Sequence, residues 1–327
     1  MSCFGQTLRT SKVSKDLLEL ITSSWSAGTR KQYEPYIRKW IKFCDENRID
    51  PTCPPIISGA EFITKLFKEG GIGYSAINTA RSALSAVIDP VNGITFGKQP
   101  LIKRVLRGVF RERPALPRYT TTYDVDIVLN YLKSLGTTVT LQDLTLRLAT
   151  LTCILSGQRS QTLGYLSLSS MYIDDNKCVF VVTELLKQTR PGHHQEPLEF
   201  CAFADDPAIC VVANLKAYLE VTKDMRPKND HGLFVSLFKP YHSVKSSTIA
   251  KWILNVLGKA GIDISLFKTH SVRGASTTKA HMKGLSLHDI GKAAGWSGSS
   301  TFKFFIKNHC VTTVSYTHLT LPTIYSV

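Results

Sequence analysis

Five side chains suited to work on a phosphodiester occur in order along the sequence: Arg159, Lys187, His270, Arg273 and Trp296. A phosphodiester spreads one negative charge over two non-bridging oxygens. Two guanidinium groups match those oxygens and hold the charge that develops on them in a transition state. Arg159 lies in Gly157-Gln158-Arg159-Ser160-Gln161-Thr162-Leu163, directly after the apolar run Leu148 to Leu155, and reads as carried into a helix. A lone arginine on a helix is most often a surface charge, but at the end of such a run it would be costly without an anion to bind. His270 and Arg273 stand three apart in Thr269-His270-Ser271-Val272-Arg273-Gly274-Ala275, a spacing that puts both on one helical face. Taken singly, a histidine of this kind is usually solvent-facing and a lysine beside a turn, like Lys187, is usually solvated. Trp296, in Ala294-Gly295-Trp296-Ser297, is on its own most simply a core ring.

The elements that must position these residues can be read from apolar periodicity and from punctuation by proline, glycine and capping residues. Helices are expected over Thr29 to Asn47, Gly59 to Glu69 with Ser58 as N-cap, Ser75 to Ile88, and Leu101 to Arg111. Arg113-Pro114-Ala115-Leu116-Pro117-Arg118-Tyr119 holds two prolines in four residues and reads as an interdomain linker. Beyond it, helices are expected at Asp124 to Leu135, Leu141 to Leu155, Ala208 to Thr222, Thr248 to Ala260, Val272 to Lys283 and Leu287 to Ala294. Strands are expected at Lys177 to Glu184, after the Asp174-Asp175-Asn176 turn, and at Glu196 to Phe200, after the turn Gln188 to Gly192. The fold class is therefore mainly α with a small antiparallel β-sheet.

A formal charge of +15 over 327 residues points to a polyanionic partner, nucleic acid first. Through Arg113 the chain holds 18 Lys and Arg against 10 Asp and Glu, a balance of +8, so the front third is the more basic part. Charges interrupt every apolar run before the roughly 18 residues a membrane span needs. Met1 to Lys15 has no signal core. The eight cysteines show no CxxC pair and no zinc spacing, and are expected as buried reduced thiols of an intracellular protein.

The five ordered residues, together with Ser300-Thr301-Phe302-Lys303-Phe304-Phe305-Ile306-Lys307, resemble the tyrosine recombinase (phage integrase) family, in the form found in eukaryotic mobile elements of DIRS or Crypton type. The resemblance runs from about Thr29 to Lys307, weakly across the front and strongly behind the linker. It implies a SAM-like helical core-binding domain over 1–113 that clamps duplex DNA, a linker over 114–119 and a catalytic domain over 120–313. Arg159 and Arg273 would cradle the scissile phosphate, and His270 would be general base or hydrogen-bond donor to it. Lys187, on a β-hairpin, would protonate the leaving sugar hydroxyl, and Trp296 would offer its indole N–H. DNA contacts are expected from Arg30, Lys31, Arg38, Arg81, Lys103, Arg104 and Arg107. No metal or other cofactor is expected, since the arginines supply the positive charge. The expected partner is double-stranded DNA, with a homo-oligomer assembling on it, and the expected location is the nucleus.

One departure bears on everything else. The family's last motif ends in Phe-Tyr, and its tyrosine attacks phosphorus to form a 3′-phosphotyrosyl link. Here that slot falls on Ile306, with Phe305 beside it. Two other readings follow: a DNA-binding protein without catalysis, and a type IB topoisomerase-like enzyme. The stretch Val314 to Thr323 resembles the translation of a sequencing-library adapter, so 314–327 is expected to be a cloning or assembly scar, with the natural chain continuing differently past Thr313. Met171-Tyr172-Ile173-Asp174-Asp175 looks like the YxDD box of a reverse transcriptase. The third carboxylate of such a site has no upstream strand to sit on, and a turn between strands is expected instead. Pro191-Gly192-His193-His194 suggests a metal only superficially, since adjacent side chains on an extended segment diverge.

Overall fold

Two hydroxyl caps start the first two helices among the described residues. In the computed structural model, which describes residues 14–116, 119, 121–136, 140–187, 189–192 and 194–296, Ser14 Oγ accepts from the Leu17 N–H to cap α1 (Lys15–Ser23), and Ser26 Oγ accepts from Thr29 to cap α2 (Ala27–Asn47). Three further helices follow: α3 (Ile56–Glu69), α4 (Tyr74–Leu84) and α5 (Pro100–Glu112). α2 packs on α4, and α5 packs on both α3 and α4. Their shared core is built around Trp40, fully buried, which donates its indole N–H to Pro51 O at 3.0 Å and meets Phe43 and Phe62.

Two expectations for this region need correcting. Ser58 is not a cap: α3 starts at Ile56 behind Pro55, and Ser58 is buried inside it. Pro55 stands at the capping position with no side-chain acceptor, and its carbonyl takes the Ser58 N–H at 3.0 Å instead. The neighbouring Gly59 must stay small, because a Cβ there would lie 2.3 Å from the Phe96 ring. The helix expected to reach Ile88 stops at Leu84, and Ser85 Oγ instead accepts the Gly97 N–H at 2.9 Å.

The chain divides into two units, Met1–Pro117 and Arg118–Val327. The second is organised around α7 (Leu141–Ser156), which is buried on nearly every side and carries buried polar side chains among its apolar ones. Its hydroxyls are satisfied internally: Thr145, Thr150, Thr152 and Ser156 each donate to the carbonyl four residues back, at 2.6–2.7 Å. Around it lie α9 (Val211–Thr222), α10 (Ser246–Lys259) and α11 (Ser271–Met282). α6 (Val125–Ser134) and α12 (Leu287–Ala294) pack on α11, and the short α8 (Ser160–Leu163) packs between α7 and α10. Lys279 of α11 bridges Asp124 and Asp126 at the start of α6, at 3.0 and 2.7 Å.

The sheet has three antiparallel strands in the order β1 (Met171–Ile173), β2 (Lys177–Phe180), β3 (Leu198–Cys201), with Ile173 opposite Cys178 and Cys178 opposite Phe200. Cys178, Phe180, Leu198 and Phe200 form its buried face. The Met171 to Asp175 segment is therefore a strand and a turn. Asp174 accepts the Asn176 and Lys177 N–H groups at 2.7 Å, which commits that carboxylate to the turn. β2 ends at Phe180, short of the expected Glu184. The helix expected from Ala208 is interrupted: a single 3₁₀ turn is followed by α9, capped by the Cys210 thiol accepting from Ala213 at 3.4 Å. The fold is mainly α with a small antiparallel sheet. Among the described residues no helix is long and apolar enough to cross a membrane. Cys44, Cys153, Cys178 and Cys210 are buried free thiols and Cys201 is half-buried, whereas Cys53 is exposed, contrary to expectation. Cys3, Cys310, Ile306 and the segment 314–327 lie outside the described residues.

Candidate active site

α7 ends at Gly157, which takes a left-handed conformation (φ +60°), a turn that glycine adopts without strain. Its carbonyl accepts Arg273 Nη1 at 3.0 Å, across 116 residues of sequence. Arg159 follows two residues later. It does not lie inside a helix, as its sequence setting suggested, but at the capping position that leads into α8, half-buried. The left-handed turn breaks the helical path between the apolar run and the arginine.

His270 and Arg273 stand at the start of α11, His270 at the capping position and Arg273 one turn further in. They differ sharply in environment, for Arg273 is 1% exposed while His270 reaches solvent. Burial, and then the neighbouring Arg159 charge, pull the Arg273 guanidinium down to about 9, which leaves it protonated at neutral pH. Burial likewise lowers Arg159. His270 is held below its ordinary value by desolvation, then by the charges of Arg159, Arg273 and Lys187, so it is neutral at pH 7. Trp296, just after α12, lies with its ring centroid 5.3 Å from Arg273 Cζ, within cation–π range. Its backbone N–H closes on Gly291 O at 2.8 Å.

Lys187 is exposed on the connection between β2 and β3, beside the buried Leu186, whose N–H donates to Thr189 Oγ1 at 3.0 Å. The structure thus brings the charges of Arg159, Arg273 and Lys187 to bear on His270, with Trp296 beside Arg273. Like charges held together in a partly dry site cost free energy that a bound anion relieves. One oxyanion presented to this cluster would meet two guanidiniums, an ammonium and a neutral imidazole able to donate or accept a proton.

In the first unit, Arg30, Lys31, Lys103, Arg104 and Arg107 are exposed, as is Arg38, which sits 3.6 Å from Glu34. Arg81 is placed differently. It is half-buried, bonds Asn78 and Ser82, and leans over Gly97, holding α4 to the turn before α5. Lys103 and Arg107 line a cleft of about 480 Å³ with Tyr74, Leu106, Phe110 and Arg111. Sequence reasoning did not single out Tyr74 or Phe110, and it read Arg111 as part of the basic helix without naming it a DNA contact. The four-residue step from Lys103 through Arg107 to Arg111 was the available signal.

No protein-family model matches the chain, and no curated protein does. Solved structures do. The XerH site-specific recombinase bound to palindromic difH substrate in a post-cleavage complex superposes with a TM-score of 0.61, at 14% identity, over 93% of this chain and 92% of that one. The Tn1549 transposon integrase in complex with circular intermediate DNA gives 0.61 at 13% identity, over 94% and 95%. The same integrase bound to transposon right-end DNA gives 0.58 at 15%, over 94% and 96%. The fold is that of the tyrosine recombinases. At these identities the likeness is one of fold, spanning both units of the chain.

Proposed function

We propose that this chain is a DNA-binding protein of the tyrosine recombinase type, derived from a eukaryotic mobile element and acting on duplex DNA in the nucleus as a homo-oligomer. The single observation that carries this reading is the convergence of the Arg159, Lys187 and Arg273 charges on His270. Such a cluster suits a phosphodiester during strand exchange. The two guanidiniums hold the non-bridging oxygens and stabilise the charge of the pentacoordinate transition state. Neutral His270 accepts a proton or donates a hydrogen bond to the phosphate. Lys187, exposed on its connection, protonates the departing sugar oxygen, and Trp296 closes the side of the site next to Arg273. The basic faces of α2 and α5 supply sequence-independent phosphate contacts.

As written, the chain binds DNA without covalent chemistry, because Ile306 has no hydroxyl to attack phosphorus. The test is adduct formation on a nicked or suicide duplex, with the C-terminal tail rebuilt from the genomic locus. The unmodified sequence should give none, Ile306→Tyr should give covalent protein–DNA adducts, and Phe305→Tyr should not. An adduct from the unmodified sequence would overturn the assignment of the slot. Adducts from neither variant would leave DNA binding without catalysis as the function. Strand exchange between two duplexes separates this reading from a topoisomerase-like enzyme, which would relax supercoils only.

A further inference from the structure

Gln158 sits between the glycine whose carbonyl holds Arg273 and the arginine that faces it, and it is 2% exposed. A buried primary amide is expensive unless its groups are bonded, so what it bonds is informative. Its Oε1 accepts from Thr162 Oγ1 at 3.2 Å, within the same segment. Its Nε2 donates to Ala293 O at 2.8 Å, reaching 135 residues along the chain. Ala293 lies in the last turn of α12, where carbonyls have outrun the helix's own N–H donors and need an outside partner. Two residues on, Gly295 turns left-handed (φ +63°), and a Cβ there would lie 3.3 Å from Gln158 Nε2. Trp296 comes next. Three consecutive residues therefore do three related things: Gly157 fixes Arg273 through its carbonyl, Gln158 fixes the end of α12 through its amide, and Arg159 enters the site.

We propose that Gln158 is a positioning residue: it sets the spacing between the arginine segment and the Gly295–Trp296 turn, and so the point from which the chain leaves for position 306. The proposal rests on the reading of the site given above. A methionine at 158 fills similar volume but bonds neither partner, and a glutamate keeps the acceptor for Thr162 while losing the donor to Ala293. Thr162→Val is the internal comparison, since it cuts the local bond and spares the long-range one.

Two readouts are taken. In the unmodified chain, Trp296 emission is isolated by subtracting the spectrum of the Trp296→Phe protein. Gln158→Met and Gln158→Glu should red-shift it and increase its quenching by iodide, with Thr162→Val close to the parent. In the Ile306→Tyr chain with its rebuilt tail, the single-turnover cleavage rate at saturating DNA should fall about 10- to 100-fold in both Gln158 variants, as expected for a small misplacement of reacting groups. Half-saturation by DNA should stay close to the parent value. An unchanged Trp296 signal in both Gln158 variants overturns the proposal. So does a rate loss matched by Gly261→Ala, which strains the same unit at a glycine whose added Cβ would meet nothing within 4 Å. If the Ile306→Tyr chain forms no adduct, the catalytic reading of the site fails, while the Trp296 signal still decides the positioning role.

Discussion

Replacing Gly157 by alanine tests how the turn after α7 holds the site. The residue has φ +60°, where an L side chain costs about 1–2 kcal/mol. The added Cβ would lie 3.4 Å from Thr277 Cγ2 and 3.5 Å from Ala294 Cβ, ordinary contacts that add no clash. The loss should therefore be about 1–2 kcal/mol, nearly all of it backbone. For a unit of this size, that is a fall in Tm of roughly 2–8 °C. Gly261→Ala is the control: φ is +88°, and nothing lies within 4 Å of its Cβ, so it should carry a similar backbone cost without touching the site. The two variants should diverge in function. If position 157 relaxes out of the left-handed region, its carbonyl swings away from Arg273 Nη1, and the His270 resonance, together with cleavage in the Ile306→Tyr background, should change only in Gly157→Ala. Urea denaturation gives the stabilities and imidazole NMR reports on the site. A Gly157→Ala protein as stable as the parent, beside a weakened Gly261→Ala, would refute the backbone argument.

His270 should titrate below 6.5, and Lys187→Ala should move it upward by removing one of the charges that depress it; NMR titration of the imidazole checks both. Because the unfolded chain binds the proton more readily between the folded value and 6.5, stability should rise with pH across that window and be lost as pH falls through it. Lys279→Met should destabilise the second unit by about 3–5 kcal/mol, since Lys279 and Asp124 are only 15% exposed and the carboxylates would be left unpaired; urea denaturation measures it. Burial alone would lower Lys279, but Asp126 and Asp124 outweigh it and hold it above its ordinary value, so its contribution should persist at neutral pH and fade only as strongly alkaline pH passes that raised value. Duplex affinity should fall steeply with salt, and alanine at Lys103 or Arg107 should each flatten the log–log slope by about 0.9, as read by fluorescence anisotropy.

Much of this arrangement could be read in advance where local chemistry agrees with packing. α12 spans Leu287–Ala294 as expected because Ser286 caps one end and Gly295 terminates the other. The buried α7 was visible in its second half as the largely apolar run Leu148 to Leu155. The cap at Cys210 was not legible, since a thiol acceptor leaves no compositional trace. Nor was β1, which is three residues long and acquires its identity only by pairing with β2. The site residues could be picked out by type and order, yet the helical spacing of His270 and Arg273 gave no hint that one would be accessible and the other buried. That difference is set by Gly157 and Trp296, which are distant in sequence. Gln158 went unremarked because a lone glutamine signals nothing until its partner on α12 is known. Arg81 looked like the other front-domain cations, and only the approach of Gly97 shows that it also packs within its unit.

The two hydrogen bonds that close the site, from Arg273 to Gly157 and from Gln158 to Ala293, span 116 and 135 residues. Contacts so far apart in sequence cannot form until most of the second unit has found its place, so this cluster should be among the last parts of the chain to mature during folding. A nascent or truncated chain ending before Ala293 would hold both arginines but lack the Gln158 anchor and the Trp296 ring that complete the site. Two fragments cut between the hairpin and α10 would each be silent and would regain the site only on reassembly. The most charged part of the interior is thereby withheld from partly folded chains, which could otherwise hold nucleic acid before they could handle it.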